Sequence, residues 1–481
     1  MEKIINWLLG AEEAGVRVGG LLGRGGLERT LNDLVWGVPA MVLILGTGVL
    51  LSILCRFPQF TRLGYIFKNT LGRALRRSGG KARAGSVSPF KAMCTALAAS
   101  IGTGNIAGVS GAIAIGGPGA VFWMWISAFF GMCTKYAEIV LAMKYRETDA
   151  DGTHKGGPMY YIEKGLGKNW KWLAVIFAIL GGIASFGIGN IAQSSEIAGA
   201  MGSIFGVAPL AAGVILAVIV AIVVIGGVQR IGQVTSYLVP FMASFYILAG
   251  VAVIVLRITD IPFALKTIFT EAFSFKAVEG AIFGVAIMEA MQNGFARGVF
   301  SNEAGLGSAP IAHAASSSEE PCEQAIWGVF EVFIDTIVIC TITALAVIFS
   351  GVLNTTGGLD AFASKGAAAA EAFNIILPGT LGGTVIQISL LFFALSTILG
   401  WSYYGERCWG YLSKDNKVVI LVYKVAFVLF CIVGAVGSGT LMWSIADTLN
   451  GLMAIPNLVG LLLLCPVVFK VTKEYFDKAG K

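Results

Sequence analysis

Apolar runs of about twenty residues recur from Leu31 to Val471, each long enough to cross a hydrocarbon core of about 30 Å. Only 13% of the 481 residues are charged, against roughly 25% in an average soluble domain. The 63 glycines suit membrane helices whose backbones approach closely. The chain reads as an all-α polytopic membrane protein of about eleven helices, over 31–54, 89–113, 119–145, 172–199, 207–227, 232–257, 277–301, 324–352, 380–405, 417–437 and 442–470. Eight cysteines lie singly, with no CxxC and no Cys/His cluster, so neither a disulfide framework nor a zinc site is indicated. Glu12, Glu13 and Glu28 interrupt the stretch where a cleavable leader needs an apolar core, so the first span is expected to remain as an anchor.

The net charge of +6 comes from basic residues clustered in short loops, which is the positive-inside pattern and no mark of nucleic-acid binding. Arg56, Arg62, Lys68, Arg73, Arg76, Arg77, Lys81 and Arg83 follow the first span. Arg146, Lys155, Lys164, Lys168, Lys171, Arg230, Arg407, Lys414, Lys473, Lys478 and Lys481 fall on the same side. Fewer lie opposite, among them Lys3, Arg17, Arg24, Arg29, Arg257, Lys266, Lys276 and Lys365. A multi-pass protein of the plasma (inner) membrane is expected, with the C-terminus in the cytoplasm and the N-terminus outside.

Inside the second run stands Ser100-Ile101-Gly102-Thr103-Gly104-Asn105-Ile106-Ala107-Gly108. Irregular backbone at membrane depth is tolerated only where it is buried in protein or lines a watery cavity. Gly104 and Gly108 also have the spacing of a close helix crossing, but that reading leaves Thr103 and Asn105 without a role. With the first span set aside, ten remain in two groups of five. The first member of the second group carries Gln292-Asn293-Gly294-Phe295-Ala296-Arg297-Gly298, read as a matching break. Two such breaks in groups of odd size give an inverted repeat, the pattern of LeuT-type transporters. The expected organisation is a segment 1–88 with the extra helix and a basic loop, repeats 89–257 and 258–470, and a tail 471–481.

A broken helix exposes N–H groups that favour a carboxylate and carbonyls that can take a cation. Thr103, Gly104 and Asn105 are therefore candidates for substrate binding, with Gln292, Gly294 and Phe295 from the second break. Phe186, Asn190 and Gln193 share a face of the fourth span, and its two amides are out of place against lipid. Ser396 and Thr397 offer adjacent hydroxyls, which either ligate a hard cation or bond back to the preceding turn; the residues alone leave both open. Trp401, one turn on, shares their face and could cap a small pocket, onto which Phe186 and Phe295 are also expected to converge. Among the intramembrane charges, Lys135 is expected to pair with Glu138, and Arg297 is a candidate partner for Glu331 and Asp335. Glu289 and Asp447 are assigned no partner, and His154 and His313 are read as loop residues without chemistry.

Four stretches resemble the alanine or glycine:cation symporter family, in the family's order. They are Gly102-Thr103-Gly104-Asn105-Ile106-Ala107-Gly108, the run from Gly116-Gly117-Pro118-Gly119 to Lys135-Tyr136-Ala137-Glu138, Arg297-Gly298-Val299-Phe300-Ser301-Asn302-Glu303-Ala304-Gly305-Leu306-Gly307-Ser308, and the run from Ala446-Asp447-Thr448 to Ile455-Pro456-Asn457. The resemblance implies a LeuT-type 5+5 inverted repeat with one additional N-terminal transmembrane helix. It implies uptake of alanine or glycine coupled to Na+, or to H+ in some members. Laid on the wider group's Gly-x-Gly-Asn break, it places one sodium among the carbonyls of Ala98, Ile101 and Phe393 and the hydroxyls of Ser396 and Thr397. A carrier of glutamine or another larger neutral amino acid is the alternative within transport, and a channel or membrane sensor the alternative outside it. The chain carries no nucleophile–base pair or phosphate loop that would make it an enzyme.

Overall fold

The computed structural model describes residues 11–13, 16–18, 35–72, 85–150, 152–273, 285–354, 365–437 and 439–478. Helix α1 is Val38–Leu54. Helix α2, Pro89–Ser100, begins where Ser88 Oγ accepts from Lys91 N at 3.3 Å, with proline at a position that needs no N–H. After a break come α3, Ala107–Gly116, and α4, Ala120–Tyr145, reversed through Gly117 (φ +69°) and Pro118. Helices α5, Lys171–Phe186, and α6, Ala192–Phe205, form one rod with a π turn at Gly187–Ile191. Then follow α7, Pro209–Val224, and α8, Gly227–Leu256.

The second half repeats the plan. Helix α9 is Val285–Asn302 and the short α10 is Ala309–Ala314. Helices α11, Pro321–Val332, and α12, Thr341–Ser350, are joined by a second π turn at Phe333–Cys340. Last come α13, Leu381–Ser413, α14, Lys417–Val436, capped by Asn416, and α15, Gly439–Lys478. Among the described residues, seven continuous helices are long and apolar enough to cross a membrane, with α1 and α7 somewhat shorter. The α2–α3 and α9–α10 pairs complete the expected eleven. Helix α4 and the α11–α12 rod are mostly buried, whereas α8 and α14 bury only about a third of their apolar windows and leave the rest to lipid. Shorter helices at Leu63–Asn69, Pro158–Leu166, Ile261–Ala272 and Lys365–Ile376 carry no membrane-length apolar run and lie between the spans expected from the sequence.

The second break is not where the glycines of 292–298 placed it. Helix α9 runs through them unbroken. A Cβ on Gly294 would stand 2.4 Å from Ala120 O and 2.7 Å from Trp123 Cβ, and one on Gly298 would stand 3.1 Å from Ser127 Oγ. These glycines let α9 lie against α4. The chain opens instead at 303–308, where Glu303, Gly305 and Gly307 take φ of 57°, 93° and 79°.

The loops read as lying on one side do meet there. Ser317 N donates to Val87 O at 2.7 Å and Arg146 Nη1 to Ser316 O at 2.6 Å. Lys155 Nζ reaches Asp415 Oδ2 at 2.7 Å, and the hydroxyls of Tyr65 and Tyr475 lie 2.7 Å apart. On the opposite face Trp123 Nε1 donates to Ala272 O at 3.2 Å. The first residues of the spans 31–54 and 277–301 lie outside the described residues, as do Lys3, Arg24, Arg29, Arg73, Arg76, Arg77, Lys81, Arg83, Lys276 and Lys481.

Candidate functional site

Helix α2 stops at Ser100 because Ile101 and Gly102 are extended (ψ 94° and −159°), and a single 3-10 turn, Thr103–Asn105, precedes α3. Asn105 closes this gap. Its Oδ1 accepts from Gly102 N at 2.9 Å, and its Nδ2 donates to Asp335 Oδ1 at 2.7 Å and Asp335 O at 3.2 Å. Asp335 also accepts from Ser301 Oγ at 2.8 Å and Thr336 Oγ1 at 2.7 Å. Gln193, at the start of α6, donates to Ile188 O of the first π turn at 3.1 Å while its Oε1 accepts from Thr103 N at 3.4 Å. The hydroxyl of Thr103 is buried with no hydrogen-bond partner among the described residues, an unmet demand that a polar ligand could answer.

Opposite the break, α13 presents Ser396 and Thr397. Ser396 Oγ lies 3.1, 3.3 and 2.8 Å from the carbonyl oxygens of Ala98, Ile101 and Phe393. Thr397 Oγ1 lies 3.2, 3.4 and 3.0 Å from the same three. All five residues are buried. Two hydroxyls have two protons to share among three carbonyls, so lone pairs outnumber donors and the shell is suited to a hard cation. The two readings of the hydroxyl pair are both visible: each bonds back to Phe393 O and also reaches the broken helix.

The other candidates disperse. Asn190 donates to Phe427 O at 2.6 Å and accepts from Ser194 Oγ at 3.1 Å, so its amide is engaged within the protein. Phe186 packs on Tyr423, Phe427 and Phe430 of α14. Phe295 is buried beside Trp123, with Ile44 and Leu45 of α1 in the same pit. Gln292 is half-buried on α9 and bonds to no described residue, and Gly294 serves the α4 crossing. Trp401 is fully buried, its Nε1 donating to Glu303 Oε1 at 2.8 Å, and a Cβ on Gly189 would overlap its Cβ. The three aromatic residues therefore do not converge on one pocket. The bulk that does meet the first break is Phe300, whose Cδ1 lies 3.1 Å from where a Cβ on Gly104 would be. Its place in the Arg297-Gly298-Val299-Phe300 run gave no sign of this, because its orientation follows from α9 remaining helical.

The buried charges also find partners other than those expected. Lys135 Nζ pairs with Glu331 Oε2 at 3.0 Å and donates to Asn302 O at 2.9 Å. Glu138 instead accepts from Gly307 N at 3.0 Å and from Asn457 Nδ2, strapping the second break, while Asn457 Nδ2 also reaches Gly305 O at 2.8 Å. Arg297 holds Asp447 through two bonds of 2.9 and 2.7 Å and not Glu331 or Asp335. His313 is no loop residue: it is buried in α10, its Nε2 2.7 Å from Glu331 Oε1 and its Nδ1 2.8 Å from Gln324 Nε2.

Two broken helices crossing at the centre of two five-span halves, with an oxygen shell against one break, define a LeuT-type secondary transporter. Its fold is similar to that of MhsT bound to L-phenylalanine, with a TM-score of 0.56 at 15% identity over 81% of this chain and 99% of that one. A Na+-coupled sialic acid symporter in a substrate-bound outward-open state gives 0.55 at 12% identity, over 90% and 98%. The chain belongs to the sodium:alanine symporter family, whose model matches residues 26–481. It is 50% identical to the sodium/alanine symporter AgcS of Methanococcus maripaludis, over 93% of this chain and 96% of that one. It is 38% identical to the probable sodium/glutamine symporter GlnT of Bacillus subtilis, over 94% and 91%. The protein is thus a multi-pass membrane symporter with sodium as coupling ion, and not an enzyme.

Proposed function

We propose that this symporter takes up alanine or glycine, with the coupling sodium held by the carbonyls of Ala98, Ile101 and Phe393 and the hydroxyls of Ser396 and Thr397. The observation that carries the reading is the surplus of lone pairs in that shell, which spans the broken helix and α13. A cation there ties the two bodies together, so its release on the low-sodium side frees them to separate. With the basic loops facing the cytoplasm, the inward gradient drives the cycle, and each charge crossing 100 mV adds about 2.3 kcal/mol.

The amino acid is placed beside the Gly102-Thr103-Gly104 turn, where the unpartnered Thr103 hydroxyl offers a polar contact. Gln193 and Asn105 hold the walls of that turn, Phe300 supplies bulk against it, and Trp401 stands at the second break, bonded to Glu303. Bulk near the two breaks favours a small side chain, in line with the archaeal relative's name. The Bacillus relative's name makes glutamine the competitor to test.

Thr397→Ala removes one of the five oxygens. If loss of one oxygen ligand to the ion costs as much as a hydrogen bond to a charged group, about 1.5–3 kcal/mol, half-saturation by sodium is expected to rise about 10- to 100-fold. The order of preference among amino acids should stay as it was. Uptake measured across a sodium titration checks this, and an unchanged half-saturation removes Thr397 from the site.

A further inference from the structure

At the edge of the basic face, far from the helix breaks, a crevice of about 250 Å³ opens between the end of α1 and the last turns of α15. Leu54, Cys55 and Pro58 line it on one side, Phe469, Thr472 and Phe476 on the other. Three cations share the lining, Arg56, Arg62 and Lys473, against one carboxylate, Asp477. Among the described residues no carboxylate lies within 4.0 Å of any of the three. Among the described residues the crevice therefore holds an excess of positive charge, three cations to the one carboxylate of Asp477.

The local backbone is built to present that charge. Arg56 and Phe57 adopt φ of 61° and 51°, a costly pair for residues with side chains, and Thr61 Oγ1 pins both by donating to their carbonyls at 3.1 and 3.0 Å. Arg62 lies with its guanidinium carbon 5.0 Å from the centre of the Phe476 ring, a cation–π contact that needs none of its N–H donors. Planar, forked donors beside an ammonium match a phosphodiester. Outward from the crevice the surface turns apolar, with Leu50, Ile53, Phe60 and Phe469 all exposed. Both walls are the ends of membrane-spanning helices, so this apolar surface faces acyl chains. A free phosphate would use the cations and leave these side chains without a role.

We propose that this crevice binds the headgroup of an anionic glycerophospholipid, its phosphodiester between Arg56, Arg62 and Lys473 and its acyl chains along α1. The occupant couples the extra N-terminal helix to the end of α15. Basic pockets between helix ends on the positively charged side of a membrane protein are suited to such headgroups.

The full-length protein, purified in a neutral detergent, is titrated with dioleoyl phosphatidylglycerol, dioleoyl phosphatidylcholine or potassium phosphate, and bound lipid is read by native mass spectrometry. Phosphatidylglycerol should give a one-lipid adduct at least about fivefold more abundant than phosphatidylcholine does, and Lys473→Gln with Arg62→Ala should lower it at least fivefold. Lys473 is exposed, so Lys473→Gln alone keeps the test available if the double variant does not fold, with a smaller loss expected. Arg257→Ala, on the opposite face, should leave the adduct as it is. Equal retention of the two lipids, an adduct unaffected by Lys473→Gln, or phosphate displacing phosphatidylglycerol at millimolar concentration would each overturn the proposal.

Discussion

Lys135→Met is expected to be the most damaging single change outside the transport site. The ammonium and the Glu331 carboxylate are both fully buried and 3.0 Å apart, and Glu331 takes its second partner from His313. Removing one member of such a pair leaves the other charge buried and unmatched, at a cost of about 3–5 kcal/mol. The network joins α4, α9, α10 and α11, so its loss loosens four helices together. Size-exclusion profiles after stepped heating in detergent should show the variant failing at a markedly lower temperature. Lys135→Met combined with Glu331→Gln removes both charges and should recover most of the difference. A Lys135→Met protein as heat-resistant as the parent would mean that Glu331 is neutral in the fold.

Gly102→Ala is expected to weaken sodium binding about a hundredfold while leaving the protein folded. The backbone there is extended (φ −135°, ψ −159°), which alanine adopts without strain, so the effect is steric. A Cβ at that position would stand 2.5 Å from Thr397 Oγ1 and 3.5 Å from Gln193 Oε1. The threonine hydroxyl must turn out of the five-oxygen shell. A rise of about a hundredfold in half-saturating sodium is expected, at the upper end of what one charge-assisted contact contributes. Heat resistance in detergent should match the parent, which separates this outcome from misfolding. Normal sodium dependence in the alanine variant would place the ion elsewhere.

How much of this was legible in the sequence differs from one break to the other. Gly102-Thr103-Gly104-Asn105 announces itself because polar and glycine residues at membrane depth have no packing use there, and the chain does open at that point. Glycine at the second break serves two different ends. Gly294 and Gly298 bring α9 against α4, whereas Gly305 and Gly307 supply left-handed backbone, and composition does not separate the two. One signal was present: Glu303 followed by Gly305-Leu306-Gly307, with Pro310 just beyond, reads as an interruption and restart. It stands beyond the end of the apolar run, where a break and an ordinary loop have the same composition.

The buried charges show the same limit in another form. Spacing on α4 put Lys135 near Glu138, as residues three apart on a helix are neighbours. Tertiary packing decided otherwise, drawing the lysine to Glu331 and the glutamate to the backbone of Gly307. Arg297 likewise pairs 150 residues away, with Asp447. No local pattern encodes such partners. Ser396 and Thr397 were placed by the family resemblance, and the structure brings them within 3.4 Å of the carbonyls of Ala98 and Ile101.

The most direct measurement is uptake of labelled alanine by proteoliposomes containing the purified protein alone, with sodium outside and potassium inside. Accumulation above the external concentration is expected, collapsing when the sodium gradient is dissipated and competed by glycine more strongly than by glutamine. Equal uptake when potassium or choline replaces external sodium would contradict sodium-coupled symport. Glutamine displacing alanine as well as glycine does would contradict the small-substrate assignment alone.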